Sequence, residues 1–255
     1  MMRPLPRLRL NDMASDAPLY REVRRKILDA LAHGEWQPGA RLPNEAALAE
    51  RFGVAVSTVR AGVGELTAAG VLVRRQGKGT FVARHDRHGP QFRFSNIYDQ
   101  RGRKVATARE ITAMRRVRAD RETTALLGLD EADAPYVHRV EAVLKIEGKP
   151  VAIMELILPC VLFPKLKQRD LEHTDENLYA VYQSQCGITV LRMEERVSAR
   201  TADRQTEKVL GVKAGHPLLQ VERVAFTFNN QPTEVRRRLY EGLGHHYLFT
   251  HESLD

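Results

Sequence analysis

The sequence predicts an α+β chain in two parts: three short helices closed by a basic hairpin, then a mainly antiparallel sheet with its own helices. Three observations predict this. Before residue 70, apolar residues recur at helical spacing, and after it two short β-like runs flank a Gly-Lys-Gly turn. Positive charge is concentrated at the front: residues 1–85 hold 14 Lys/Arg against 8 Asp/Glu, while the rest hold 26 against 24. Residues 119–155 resemble residues 202–238, as expected for two similar halves of one sheet.

The elements of the first part follow in order. Pro18 to His33 carries Leu19, Val23, Ile27 and Leu31 at every fourth position, an amphipathic helix stopped by Gly34. Asn44 offers a side-chain oxygen to cap a second helix, and Glu45 suits its positive end. Leu48 and Phe52 form the inner face of that helix and Gly53 ends it. A third helix is expected from Ser57 to Ala69, with Val59, Val63 and Leu66 inward and Ser57 placed to cap it. Gly62 and Gly64 weaken it by about 1 kcal/mol each relative to alanine. Leu72–Arg75 and Thr80–Ala83 read as strands joined by the turn Gln76-Gly77-Lys78-Gly79.

Helix, turn, helix and a basic two-stranded wing is an architecture that reads duplex DNA. The third helix turns Ser57, Arg60, Ala61, Gly64 and Ala68 outward, and Arg60 can donate to a phosphate or a guanine edge. Lys78 stands at the wing tip. Asn44, Thr58, Arg75, Gln76, Gly77 and Gly79 complete the expected DNA surface.

Arg84 to Pro90 is polar and ends in Gly-Pro, which reads as a linker. The expected bounds are 15–84 for the DNA-binding domain, 85–91 for the linker and 92–251 for the second domain. Each repeat of the second domain reads as a helix ended by Gly, a strand, a tight turn and a returning strand. The turns are Glu147-Gly148-Lys149 and Asn229-Asn230-Gln231. A strand is expected over Val105–Val117, a helix near Leu178–Gln185 and a strand near Ile188–Ser198. Two halves on one sheet are expected to leave a cleft between them, where a small ligand can sit.

Other chemistries find little support. No run of about 18 apolar residues suggests a membrane span, and the N-terminus lacks the apolar core of a secretion signal, so a cytoplasmic protein is expected. Cys160 and Cys186 have neither disulfide-framework nor metal-site spacing. Gly77-Lys78-Gly79-Thr80 breaks the pattern of a phosphate-binding loop. His245 and His246 are adjacent, with no third ligand at a helical spacing. No cofactor or metal is expected. No nucleophile–base constellation stands out, although an enzyme acting on a small molecule in the C-terminal pocket is the rival reading.

The run Leu42-Pro43-Asn44-Glu45-Ala46-Ala47-Leu48-Ala49, with Phe52-Gly53-Val54, Thr58-Val59-Arg60 and Arg74-Arg75-Gln76-Gly77-Lys78-Gly79-Thr80-Phe81-Val82, resembles the winged helix-turn-helix of the GntR family. The family commonly has Ser-Arg where this chain has Ala55-Val56. Residues 92–250 resemble the UTRA ligand-sensing domain of the HutC branch of that family. That resemblance rests on Leu158-Pro159, Leu162-Phe163-Pro164-Lys165-Leu166, Asn177-Leu178-Tyr179, Leu210-Gly211-Val212 with Gly215, and Pro232-Thr233-Glu234 leading to Tyr240.

The resemblance implies a fold similar to chorismate lyase, a small-molecule effector and a dimer, and it carries over Tyr179, Glu234 and Tyr240 as pocket residues. The Arg-x-Arg pair of sugar-phosphate-binding members is missing; the corresponding strand offers only Arg139 and Lys145. Strand alternation puts Arg236 and Arg238 on the face of Glu234 and Tyr240. The expected ligand site is therefore Arg139, Tyr179, Glu234, Arg236 and Tyr240, holding a small anionic metabolite. One recognition helix covers too few base pairs for a unique site, so a homodimer on a palindromic operator is expected.

Overall fold

The computed structural model describes residues 18–84, 97–103, 105, 107–172, 177–241 and 245–248. The chain divides into two compact units after Arg84, and the expected linker, 85–91, lies outside the described residues.

The first unit contains α1 (Leu19–Ala32), α2 (Glu45–Phe52), α3 (Val56–Ala68) and the antiparallel hairpin β1 (Leu72–Arg75) and β2 (Gly79–Val82). Its core is the stripe that the sequence spacing predicts: Val23, Ile27 and Leu31 from α1, Leu48 and Phe52 from α2, Val59, Val63 and Leu66 from α3. Leu19 departs from the expected stripe. It is the first helical residue and stands 52% exposed.

Asn44 caps α2 as expected, its Oδ1 accepting from Ala47 N at 2.8 Å. Ser57 caps nothing. Helix α3 starts at Val56 behind Ala55, whose side chain makes no cap hydrogen bond, so Ser57 falls inside the first turn.

The two glycines of α3 differ in role. A Cβ at Gly62 would lie 2.9 Å from the Tyr20 carbonyl oxygen and 3.1 Å from Val23 Cγ1, so the missing side chain lets α1 and α3 approach. A Cβ at Gly64 would meet nothing within 4 Å. Gly64→Ala is therefore expected to stabilise the unit by about 0.8–1 kcal/mol, the helix-propensity gain. Gly62→Ala is expected to destabilise it despite the same gain, because backbone blocks the methyl. Trp36, the only tryptophan, lies in this unit, and its fluorescence during urea unfolding reads both changes.

In the second unit, β4 (Ala108–Arg118), β5 (Tyr136–Ile146), β6 (Lys149–Pro159), β7 (Arg192–Thr201), β8 (Pro217–Phe226) and β9 (Pro232–Glu241) form one antiparallel sheet in the order β4-β5-β6-β9-β8-β7. The order is symmetric about the β6–β9 seam, which is the sequence repeat expressed in space. Each half adds a short helix before its hairpin, α4 (Arg121–Leu126) or α7 (Arg204–Leu210), capped by Asp120 or Asp203. The expected cleft between the halves is not a gap in the sheet. The ladder from Ala152↔Tyr240 to Ile157↔Val235 joins the halves.

The two faces of the sheet differ. On one, α5 (Gln168–Leu171) and α6 (Leu178–Cys186) close the main core, which includes Phe163, Leu178, Tyr179, Val181 and Tyr182 against Val140, Met154, Leu156 and Val221. On the other, two smaller cores form, Leu127 with Val137, Ile157 and Val235, and Ala202 with Leu210 and Leu218. A separate pair, β3 (Ile97–Asp99) and β10 (His245–Tyr247), was not expected from the sequence.

Candidate functional site

In the first unit most of the expected DNA-contact residues are exposed, and Asn44, Arg60 and Gly79 line one cleft. Ser57 and Arg60 on α3, Asn44 before α2, and Arg75, Gln76, Gly77, Lys78 and Gly79 of the wing are exposed, and Thr58 is half-buried. A cleft of 440 Å³ lies where α2, α3 and the wing converge, lined by Arg41, Asn44, Glu45, Val56, Arg60 and Gly79 among others. Glu45 organises the cations there. Its carboxylate accepts from Arg60 Nε at 2.8 Å and from Arg74 Nη2 at 3.4 Å. Arg75 stacks on Phe81, with its guanidinium carbon 4.8 Å from the ring centroid.

In the second unit the strand alternation holds. Glu234, Arg236, Arg238 and Tyr240 all point to the α6 side of β9 and are buried there. Tyr179, from the first turn of α6, meets them: the Arg236 guanidinium lies 5.3 Å from its ring centroid. Four of the five expected ligand residues thus come together.

Arg139 does not, and this corrects the sequence reading. It pairs in register with Ile157, which pairs with Val235, so it faces away from Glu234 and Arg236. There it belongs to an ion-pair chain, 3.3 Å from Asp120 and 3.4 Å from Glu155, which continues through Arg237 to Glu222. A lone position on a strand gives no face until the register is known, and the bulge between Leu144 and Lys145 shifts that register.

The structure adds residues that the sequence reading missed. The Tyr182 hydroxyl donates to Glu234 at 2.8 Å, and Arg236 Nη2 donates to the same oxygen at 2.7 Å. Arg223, opposite Arg236 across the β8–β9 ladder, donates to the Tyr179 hydroxyl at 3.1 Å and to Glu195 at 2.7 Å. Arg238 and the Tyr247 hydroxyl also donate to Glu195, at 3.1 and 2.7 Å. Arg109 reaches in from β4 and donates to the Leu171 carbonyl at 2.9 Å. One signal was available for Arg223: on its expected strand the residues two positions away, Val221 and Ala225, are apolar and buried.

The electrostatics of this cluster are unusual for a protein interior. Arg109, Arg223, Arg236 and Arg238 are buried beside Glu195 and Glu234. Burial, with the nearby Arg236 charge, pulls the Arg109 guanidinium down to about 10. Burial, with Glu234 beside it, pushes the Tyr182 hydroxyl well above its ordinary value. Burial also opposes charge on Glu195, but Arg223, Tyr247 and Arg238 outweigh it and hold the carboxyl below its usual range. Glu234 Oε1, Arg236 Nε and Arg238 Nε are buried with no hydrogen-bond partner among the described residues.

A winged helix-turn-helix with a basic reading surface, followed by a domain with a buried polar cluster, defines a DNA-binding transcriptional regulator rather than an enzyme. The family model described as "Bacterial regulatory proteins, gntR family" matches residues 19–82, and that of the UTRA domain matches residues 100–245, more than half of the chain. The histidine utilization repressor of Pseudomonas putida is 29% identical over 90% of this chain and 90% of its own length. The transcriptional repressor PhnF of Mycolicibacterium smegmatis is 31% identical over 88% and 89%. A crystal structure of the ligand-binding domain of a GntR-family regulator from Bordetella bronchiseptica superposes with a TM-score of 0.59 at 29% identity, covering 62% of this chain and 98% of that one. The chain belongs to the GntR family of bacterial transcriptional regulators and carries a UTRA domain, the pairing found in the HutC branch. No helix among the described residues is long and apolar enough to cross a membrane.

Proposed function

We propose that this protein is a repressor whose affinity for its operator is set by a small anionic metabolite bound in the UTRA domain beside Tyr179, Glu234, Arg236 and Tyr240. The observation that carries this reading is that the buried ion pair of Glu234 and Arg236 leaves Glu234 Oε1 and Arg236 Nε with no hydrogen-bond partner among the described residues. A buried polar atom without a hydrogen bond is costly, and an anion that also carries a hydrogen-bond donor would match both atoms. The tyrosines supply apolar walls with polar tips.

A homodimer would place two recognition helices on a palindromic operator, doubling the site that one helix can read. A ligand shifts DNA affinity only through its differential affinity for two states, a coupling of about 1–3 kcal/mol in typical regulators.

The test begins with a thermal-shift screen of small metabolic anions. Calorimetric titration of the hit with and without operator DNA then measures the coupling, which must be equal in both directions. Equal ligand affinities in the two titrations would sink the sensor reading. Arg236→Ala is expected to lose ligand binding while keeping DNA affinity. Light scattering of the full chain tests the dimer.

A further inference from the structure

On the DNA-reading surface of the first unit, Val56 stands apart. It is an apolar, β-branched residue, 39% exposed, at the first position of α3. The first turn of a recognition helix is where side chains meet base edges in the major groove. Val56 lies one turn before Arg60, and both line the 440 Å³ cleft between α2, α3 and the wing. Residues four apart on a helix share a face, so the two would address neighbouring base pairs.

Their chemistry selects what each can read. Arg60 is held by Glu45 through Nε, which fixes the stem of the fork and keeps its two terminal amino groups for an end-on pair with guanine O6 and N7. The valine side chain has no donor or acceptor, so it adds nothing to a phosphate, and every base edge but one in the major groove is polar. The exception is the C5 methyl group of thymine.

We propose that Val56 is a base-reading residue that packs on the methyl group of a thymine next to the guanine addressed by Arg60, with Glu45 as the positioning residue for that arginine. The proposal rests on reading α3 as the recognition helix.

The test uses the full chain and duplexes selected from a random pool. Selection is expected to return a guanine beside a thymine in each half-site. Uracil in place of that thymine removes one methyl group and nothing else. Wild-type protein is expected to bind the uracil duplex about 4-fold more weakly, the factor for one buried methyl group. Val56→Ala is expected to bind both duplexes equally, whereas Arg60→Ala keeps the uracil penalty. Wild-type binding that is indifferent to uracil at every selected thymine overturns the proposal, and this arm needs no variant. So does a full uracil penalty retained in Val56→Ala, once Trp36 fluorescence shows that variant folded. If no duplex is enriched at all, the recognition surface itself fails, and the proposal with it.

Discussion

Glu195→Ala is expected to destabilise the second unit by about 3–5 kcal/mol, the usual cost of removing one partner from a buried ion pair. Glu195 is the acceptor for Arg223, Arg238 and Tyr247, and its side chain is 6% exposed while that of Arg223 is 1% exposed. Without the carboxylate, two buried guanidiniums lose their counter-charge and a phenol loses its acceptor. Glu195→Gln is expected to lose less, because an amide oxygen still accepts while the charge is gone. Calorimetry of the full chain measures the loss, and Trp36 fluorescence separates it from the first unit, which is expected to unfold as in wild type.

The same carboxylate predicts a pH dependence. Its folded-state pKa is below the ordinary value because its three donors outweigh burial. Its contribution is therefore fully present above the unfolded-state pKa, about 4.3, and is lost as pH falls toward and through the depressed folded value. Between pH 5 and strong acid, wild-type stability is expected to fall more steeply than that of Glu195→Gln. Parallel curves would show that the carboxyl titrates in the folded protein as it does in the unfolded chain, against the depressed value.

Arg60→Ala is expected to weaken operator binding by about 1–3 kcal/mol, or 5- to 150-fold, if the side chain pairs with a base. Lys78→Ala is expected to weaken binding to every sequence alike and to flatten the salt dependence by about one phosphate contact. The contrast follows from position. Arg60 is on the exposed face of α3, pinned by Glu45, whereas Lys78 is exposed at the tip of the wing. Gel shifts of operator and random duplexes over a range of salt distinguish the two. A uniform loss for Arg60→Ala would make it a phosphate contact, and unchanged affinity in both variants would move the reading surface elsewhere.

The legible parts of this protein are those governed by short-range rules. Spacings of four along α1 and α3, the Asn44 cap and the alternation along β9 depend on neighbours within a few residues. The repeat around residues 119–155 and 202–238 was equally legible, since each half folds as a local helix and hairpin. Two expectations made from neighbouring residues failed, the first for a local reason and the second for a tertiary one. Ser57 lost its capping role when α3 began one residue earlier, and Gly62 and Gly64 looked alike until α1 was found against only one of them.

Ligand-site membership was less legible. Tyr179, Glu234 and Tyr240 entered by family resemblance and Arg236 by alternation, while Arg139 was misplaced because its face depends on register across two strand pairs. Glu195, Arg223 and Tyr247 are separated by tens of residues and meet through the β7–β8–β9 ladder and the position of β10. By itself the sequence determined the two-part architecture, the basic wing and the side of β9 that is buried, because periodicity and turn chemistry act within one element. Only the tertiary structure decided which arginines share one interior with two carboxylates. Strand register and long-range pairing set that arrangement, and neither leaves a local mark in the chain.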